Sequence, residues 1–166
     1  MTIQLLEGDC IEVIPTLTQR FNLIFADPPF GINFSKKNLN YNIKSKMENY
    51  VPGYQEVSNK DYAKFSLDWI KAVYSVSKDN SCIYITTGWN NKRHILNALE
   101  EVGFRLRNEI IWSYDFGVYT KNNYIDAHQT ILYAIKGNPK FFTFCRKQTP
   151  KDSYYDRHNI WHINRI

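Results

Sequence analysis

Apolar and polar residues are distributed along this chain in blocks that predict an ordered series of strands and helices. The short apolar run at 21–26 indicates a buried strand, and the strand is predicted to end where Asp27 and two prolines follow. Apolar positions from Tyr62 to Val76 recur every three or four residues, as in an amphipathic helix. A second buried strand is predicted at 82–86, and a second helix from about Asn91 to Val102, with Gly103 as its C-cap.

Two further strands are predicted, at 107–113 and at about 130–135, and two polar regions interrupt the pattern. Residues 31–59 are rich in Asn, Lys, Ser and Tyr. A polar segment of this length predicts a mobile loop that could act as a lid, with an ordinary surface excursion as the alternative. Residues 138–166 are polar, aromatic and basic. His128, at the start of the last strand, is expected to be structural.

Composition narrows the class of protein. A chain of 166 residues with 43% hydrophobic residues predicts a single domain, 1–166, that buries a core containing Trp69, Tyr84 and Phe104. The net charge of +5 and the pI near 9.0 fit a polyanionic partner. The three cysteines are scattered, so no zinc or other metal site is expected, and Cys10 and Cys82 are predicted to be small core residues. The sequence contains no signal peptide and no apolar run of membrane-spanning length, which predicts a cytosolic protein without a membrane partner.

The tetrapeptide Asp27-Pro28-Pro29-Phe30 carries the candidate chemistry. An exocyclic amine on a nucleobase is a poor nucleophile, because its lone pair is delocalised into the ring. Two acceptors that bond both N–H groups would free that lone pair. The Asp27 carboxylate can be one acceptor and the Pro28 carbonyl the other, since proline fixes φ and stiffens the turn. Phe30 offers a flat face for stacking. The structural alternative is a plain strand-ending turn.

This motif, directly after an apolar strand, resembles the catalytic motif of the amino-methyltransferases, which methylate adenine N6 or cytosine N4 in DNA with S-adenosylmethionine. The resemblance extends to about Lys136. It implies an α/β, Rossmann-like S-adenosylmethionine-dependent methyltransferase fold, with a partial, mostly parallel sheet and helices on both faces. It also implies Asp27, Pro28, Pro29 and Phe30 as catalytic residues. Adenine is the expected target because relatives whose motif starts with Asp more often act on adenine.

The same resemblance implies a set of cofactor and DNA contacts. Gly8-Asp9-Cys10 follows the apolar stretch 3–6, in the order strand, acidic residue, short helix, catalytic strand that the family shows. Asp9, Cys10 and Asp27 are therefore expected to contact S-adenosylmethionine, although Asp9 could instead be a helix N-cap. The candidate target-recognition regions are 112–123 and the segment 138–166, of which 138–158 is the part expected to touch DNA. The basic residues expected to contact double-stranded DNA are Lys36, Lys37, Lys121, Arg146 and Lys147.

One family feature is missing from the sequence. The relatives hold the methionine part of the cofactor with a Phe-x-Gly-x-Gly loop, and this chain contains no Gly-x-Gly. The chain therefore looks like the N-terminal half of such an enzyme, which a second polypeptide carrying the loop could complete. Three alternatives stay open: a catalytically silent nucleic-acid-binding half or subunit, a cytosine-N4 enzyme, and a methyltransferase for RNA or for a protein glutamine.

Overall fold

The computed structural model describes residues 3–31, 57–117, 119, 121–139 and 158–164. Predicted and observed elements agree closely from Phe21 to Lys136, and the helix from Tyr62 to Val76 has the predicted bounds. The elements are α1 (Cys10–Val13, continued by a 3₁₀ turn at Ile14–Thr16), β1 (Phe21–Ala26), α2 (Tyr62–Val76), β2 (Ser77–Thr87), α3 (Lys92–Val102), β3 (Arg105–Ser113), β4 (His128–Lys136) and β5 (Ile160–His162).

The five strands form one sheet in the order β1-β2-β4-β3-β5. β1 pairs with β2 in parallel, and β3 pairs with β5 in parallel. β4 runs antiparallel to both of its neighbours, β2 and β3. The sheet is therefore mixed, whereas the sequence predicted a mostly parallel one. The difference arises because β3 and β4 pair directly as an antiparallel unit, with no crossover helix between them in the described chain.

The helices cover one face of the sheet. Trp69, Ile70 and Val73 of α2 pack in one cluster with side chains of α3, such as Leu99, and of β2, such as Ile83. Burial of the predicted apolar stripe is what makes α2 a stable helix in this context. A second cluster, on the opposite face, consists in the described residues of strand side chains: Cys82, Tyr84, Ile110, Trp112, Ile131, Tyr133 and Ile135. Helices on both faces, as the sequence predicted, are therefore not seen in this part of the chain.

The predicted end of α3 is confirmed in detail. Gly103 adopts φ 103°, and its N–H donates to the carbonyl of Glu100 at 3.2 Å. The N–H of Phe104 reaches back to the carbonyl of Leu99 at 2.9 Å, which completes a Schellman motif. Phe104 then enters the core, as expected, at 4% exposure.

β1 was predicted as a buried strand, but none of its residues is buried, because it is an outer strand of the described sheet; it shows two kinds of side chain. Ile24 and Ala26 pack against the helix-covered cluster, whereas Leu23 and Phe25 on the other face are 63% and 65% exposed. No strand forms in the exposed apolar stretch at 3–6, contrary to the order expected from the resemblance. This stretch has no sheet partner among the described residues, so its backbone has no ladder to join.

The two cysteines with predicted core positions differ. Cys82 is buried in β2, as predicted, but Cys10 is exposed at the start of α1, so its prediction as a core residue was wrong. The four-residue helix α1 is too short to turn a full apolar face inward, and only Ile11 and the following Ile14 pack on the core. Within the described residues, no helix is long and apolar enough to cross a membrane.

Candidate active site

β1 and β2 bring the candidate catalytic turn and a second loop to the same rim of the sheet. The two strands are parallel with Ala26 opposite Ile85, so the residues after each strand emerge side by side. Asp27 therefore lies next to Thr86, and the turn faces the loop that begins at Gly88. The carboxyl ends of parallel strands are where α/β sheets bind ligands.

The Asp27 carboxylate is exposed and is held by one hydrogen bond. Its Oδ1 accepts from the hydroxyl Oγ1 of Thr86, and that hydroxyl also lies 3.4 Å from the carbonyl of Ala26. In the described part of the chain, no lysine or arginine pairs with Asp27, and its second oxygen, Oδ2, has no donor. A carboxylate fixed through one oxygen, with the other free, can accept a hydrogen bond from a ligand N–H.

The carbonyl groups of the turn fall into two sets. The Pro29 carbonyl accepts from the hydroxyl of Tyr62 at 2.7 Å, and the Phe30 and Gly31 carbonyls accept from Nδ2 of Asn91 at 2.9 and 3.1 Å. The Pro28 carbonyl has no donor from any residue that the structure describes. The turn thus contains two acceptors with remaining capacity in the described chain, the carboxylate of the exposed Asp27 and the carbonyl of the buried Pro28.

A cavity of about 370 Å³ opens beside the turn. Its size lies within the roughly 300–1,000 Å³ typical of small-molecule sites. Its lining residues come from the turn, from the strand ends and from the loop before β4: Phe30, Thr87, Gly88, Trp89, Asn90, Tyr114, Asp126, His128, Gln129 and Thr130. The Phe30 ring is therefore in the cavity wall, whereas Asp27 is not among the lining residues.

The cavity combines aromatic rings with hydrogen-bonding groups. The Trp89 side chain is 78% exposed. Gly88, the residue before it, lies close to Phe30, because a Cβ added to Gly88 would be 3.5 Å from the Phe30 ring. Asp126 and Gln129 bring an acceptor and an amide to the same space. Such walls suit a flat heterocycle with polar edges. His128, expected to be structural, is exposed at this cavity.

Three residues that the sequence reasoning missed belong to this site: Tyr62, Trp89 and Asn91. Tyr62 was assigned only to the apolar stripe of its helix. A signal for the other two was available, because residues 88–91 directly follow a buried strand predicted to end at the rim that carries Asp27.

Asp9 and Cys10 lie at the start of α1. Oδ1 of Asp9 accepts from the N–H of Ile11 at 2.9 Å, so Asp9 is a helix N-cap, the alternative that the sequence left open. Desolvation and the adjacent Asp9 carboxylate raise the pKa of the Cys10 thiol, which is therefore neutral at pH 7. In the described residues neither side chain shares a hydrogen-bond partner with Asp27.

The predicted DNA contacts are only partly within the described structure. Lys121 is exposed, in the segment that leads to Asp126 of the cavity. Lys36 and Lys37, with most of the predicted 31–59 loop, lie outside the described residues. Arg146 and Lys147, with most of the predicted 138–166 recognition segment, lie outside them as well. Within the described residues, no cluster of three or more potential metal ligands exists.

The sequence of this chain matches one protein-family model and is similar to several known proteins. Residues 21–166 match the family model N6_N4_Mtase, described as DNA methylase. The type II methyltransferase M.HinfI of Haemophilus influenzae is 27% identical over 148 residues, which cover 84% of this chain and 40% of that protein. The DNA adenine methyltransferase YhdJ of Escherichia coli K12 is 26% identical over 146 residues, which cover 84% of this chain and 43% of that protein. The chain thus spans less than half the length of these relatives.

Solved structures share the fold. This chain superposes on the crystal structure of M1.HpyAVI with a TM-score of 0.64 at 18% sequence identity. The match covers 99% of this chain and 68% of the M1.HpyAVI chain. The M1.HpyAVI–SAM complex gives a TM-score of 0.60 at 19% identity, over 90% of this chain and 64% of its own. These likenesses confirm the predicted α/β methyltransferase-type fold.

Proposed function

Because the chain belongs to the N6_N4_Mtase family of DNA methylases, we propose that it transfers a methyl group from S-adenosylmethionine to adenine N6 in double-stranded DNA. One observation carries the proposal most directly. The Asp27 carboxylate is exposed and anchored through a single oxygen, and the next residue in the chain, Pro28, has a carbonyl without a donor in the described chain. That pair of acceptors matches the two N–H groups of an aromatic amine.

The turn activates the amine by hydrogen bonding. Oδ2 of Asp27 accepts one N–H and the Pro28 carbonyl accepts the other, which draws the lone pair of the nitrogen out of the ring. The nitrogen then forms a bond to the methyl carbon, the carbon–sulfur bond breaks with its electron pair on sulfur, and one amine proton leaves to solvent. S-adenosylmethionine supplies the electrophilic methyl group when it is bound. The rigid turn contributes mainly by alignment, because a well-oriented pair of reactants avoids much of the entropic cost.

The target base has to leave the duplex to reach this turn, since its amine is paired inside the stack. The cavity beside Phe30 has room for a purine, and the Phe30 ring gives it a stacking face. Lys121, with Lys36, Lys37, Arg146 and Lys147, is proposed to neutralise phosphates. Each such contact adds to the salt dependence of DNA binding.

Asp9, Cys10 and Asp27 are the proposed contacts of the cofactor. The geometry of Asp9 is compatible with this role, because its Oδ1 caps α1 while Oδ2 has no donor in the described residues. Asp9 is also exposed, so Oδ2 can accept a hydrogen bond from a hydroxyl or an amine of a ligand. Cys10, as a neutral thiol, would contribute only packing.

Substitution of the catalytic carboxylate tests the proposal. Asp27→Asn keeps the shape of the side chain but removes the charge, and Asp27→Ala removes both. We expect both variants to lose methyl transfer to unmethylated DNA while DNA affinity stays within about two-fold, and Asp79→Asn, at an exposed site in β2, to behave like wild type. Mass spectrometry of the digested DNA would identify N6-methyladenine or the alternative, N4-methylcytosine. Full activity of Asp27→Ala would refute the assigned role.

A second candidate is a binding half that becomes active only with another polypeptide. One observation supports it: the outer strand β1 leaves the apolar side chains of Leu23 and Phe25 exposed, on a surface that another polypeptide could cover. Titration calorimetry of the purified chain with S-adenosylmethionine separates the two candidates. Micromolar binding would support the complete enzyme, and absence of binding would support the half.

A further inference from the structure

The proline pair prevents the catalytic turn from fixing its own carbonyl groups. Pro28 and Pro29 have no N–H, so the turn lacks two of the donors that a turn of other residues would provide. Three successive carbonyls, those of Pro29, Phe30 and Gly31, instead accept from side chains of other elements. The donors come from the first residue of α2, Tyr62, and from the residue before α3, Asn91.

Asn91 occupies a position where asparagine usually serves its own helix. It is the N-cap residue of α3, and an N-cap side chain typically accepts from the N–H groups of the first turn. In this structure the Asn91 side chain makes no capping hydrogen bond. Its Nδ2 points at three oxygens, the Phe30 and Gly31 carbonyls and, at 3.3 Å, Oδ1 of Asn59. The side-chain amide of Asn91 therefore bonds the turn and does not cap the helix. Asn91 is only 5% exposed, so these hydrogen bonds form in the protein interior.

The backbone of the turn lies directly against both side chains. Gly31 has φ 65°, and a Cβ there would sit 2.5 Å from the Tyr62 ring and 2.6 Å from Nδ2 of Asn91. Tyr62 is fully buried. The two donors are therefore rigid, so the carbonyls that they bond are held in fixed directions.

We propose that Tyr62 and Asn91 are positioning residues that orient the Asp27–Gly31 turn so that the Pro28 carbonyl and the Asp27 carboxylate face the substrate amine. This inference rests on the proposed function and deepens it. Neither side chain bonds the two substrate acceptors. Tyr62 and Asn91 bond the three carbonyls that follow Pro28 in the chain. The Pro28 carbonyl is the remaining carbonyl of residues 28–31 without a donor in the described chain.

Two conservative variants test the role. Tyr62→Phe removes one oxygen atom, and Asn91→Asp replaces the donor by an acceptor of the same shape. We expect kcat for methyl transfer to fall about 10- to 100-fold, as for a small misplacement of reacting groups, while KM for DNA and for S-adenosylmethionine stays within about two-fold. Matched controls on the same helices are Tyr74→Phe and the exposed Asn97→Asp, which should keep wild-type kcat. If Asn91→Asp does not fold, Tyr62→Phe decides.

A spectroscopic readout separates this inference from the proposed function. In ¹³C-labelled protein, the carbonyl resonance of Pro28, which neither side chain touches, should shift in Tyr62→Phe and Asn91→Asp but not in the controls. A shift confined to Pro29, Phe30 and Gly31 would overturn the positioning role, and so would a raised KM with unchanged kcat. If the wild-type protein transferred no methyl group, the proposed function would fail, and the Pro28 resonance alone would decide whether the turn is held in this way.

Discussion

The hydroxyl of Thr86 donates to Oδ1 of Asp27, across the gap between the ends of β2 and β1. This contact is the one hydrogen bond, among the described residues, that fixes the candidate catalytic carboxylate. It joins residues that are far apart in sequence through the parallel pairing of their strands. The orientation of Asp27 therefore depends on the register of β1 against β2.

Removal of the Thr86 hydroxyl should lower activity without unfolding the protein. Thr86→Val keeps the shape of the side chain but leaves Oδ1 of Asp27 without its donor. We expect kcat for methyl transfer to fall at least about ten-fold, since a hydrogen bond to a charged group contributes roughly 1.5–3 kcal/mol. Thr86→Ser keeps the donor and should recover most of the activity. Equal activity of Val and Thr at this position would show that Asp27 needs no anchor.

The exposed Trp89 should contribute to binding of an unstacked base. Stacking of a base on an aromatic side chain contributes about 1–3 kcal/mol, so Trp89→Ala should weaken binding of single-stranded oligonucleotides by about 5- to 150-fold. Trp89→Phe should lose less. Phe25→Ala, at an exposed aromatic ring in β1 outside both the cavity lining and the predicted recognition segments, is the control. Fluorescence anisotropy measures these affinities, and unchanged binding by Trp89→Ala would exclude stacking on this ring.

Gly31 should be intolerant of a side chain. Gly31→Ala places a methyl group against Tyr62 and Asn91 at a backbone angle that disfavours it, and should cost about 1–3 kcal/mol of stability or more. Gly137→Ala is a matched control, because Gly137 has φ 68° and a similar close contact, with Asn80. Both variants should lower the midpoint of urea denaturation, but only Gly31→Ala should lower kcat. Normal kcat in Gly31→Ala would mean that the turn accommodates the methyl group.

The stacked pair Tyr84 and Tyr133 should make stability fall at high pH. Their ring centroids are 4.8 Å apart, and desolvation, followed by the neighbouring Tyr133 and Cys82, raises the pKa of Tyr84 to about 12. The pKa of Tyr133 is raised as well, chiefly by burial. A raised pKa in the folded state favours the neutral phenol. This stabilisation is complete below the unfolded pKa of about 10 and is lost as pH rises through the folded value.

Thermal unfolding between pH 8 and pH 12 measures this effect. The Tm of wild type should drop more steeply above pH 10 than the Tm of Tyr84→Phe. Tyr124→Phe, at a fully exposed site, is the control and should follow wild type. Parallel curves for wild type and Tyr84→Phe would contradict the prediction.

Local periodicity was sufficient to predict α2, α3 and the strands β1 to β4, because their apolar side chains are the ones that pack in the two core clusters. The sheet order was not predictable in this way, since β4 lies between β2 and β3 through contacts distant in sequence. β5 was missed for a related reason: three exposed residues carry no periodic signal and are held by pairing with β3.

The candidate site shows the same division. Asp27 and Phe30 could be selected as candidates from the sequence because the motif consists of four consecutive residues. The hydrogen bonds from Tyr62 and Asn91 to the turn could not be predicted, because each reaches a carbonyl at least thirty positions away along the chain. The exposure of Cys10 was missed because a single turn of helix does not bury both of its sides.

The outer position of β1 has a kinetic consequence. Its ladder partners in β2 lie far downstream, whereas β2, α3, β3 and β4 follow one another along the chain and contact each other. Closing the long connection costs entropy before any pairing is gained, so β1 should dock after β2, β3 and β4 during refolding. The nucleus would then be built from the second half of the molecule. In a pulse-labelling experiment, amides of residues 21–26 should acquire protection after those of 128–136, and the candidate catalytic turn that follows β1 should form late as well.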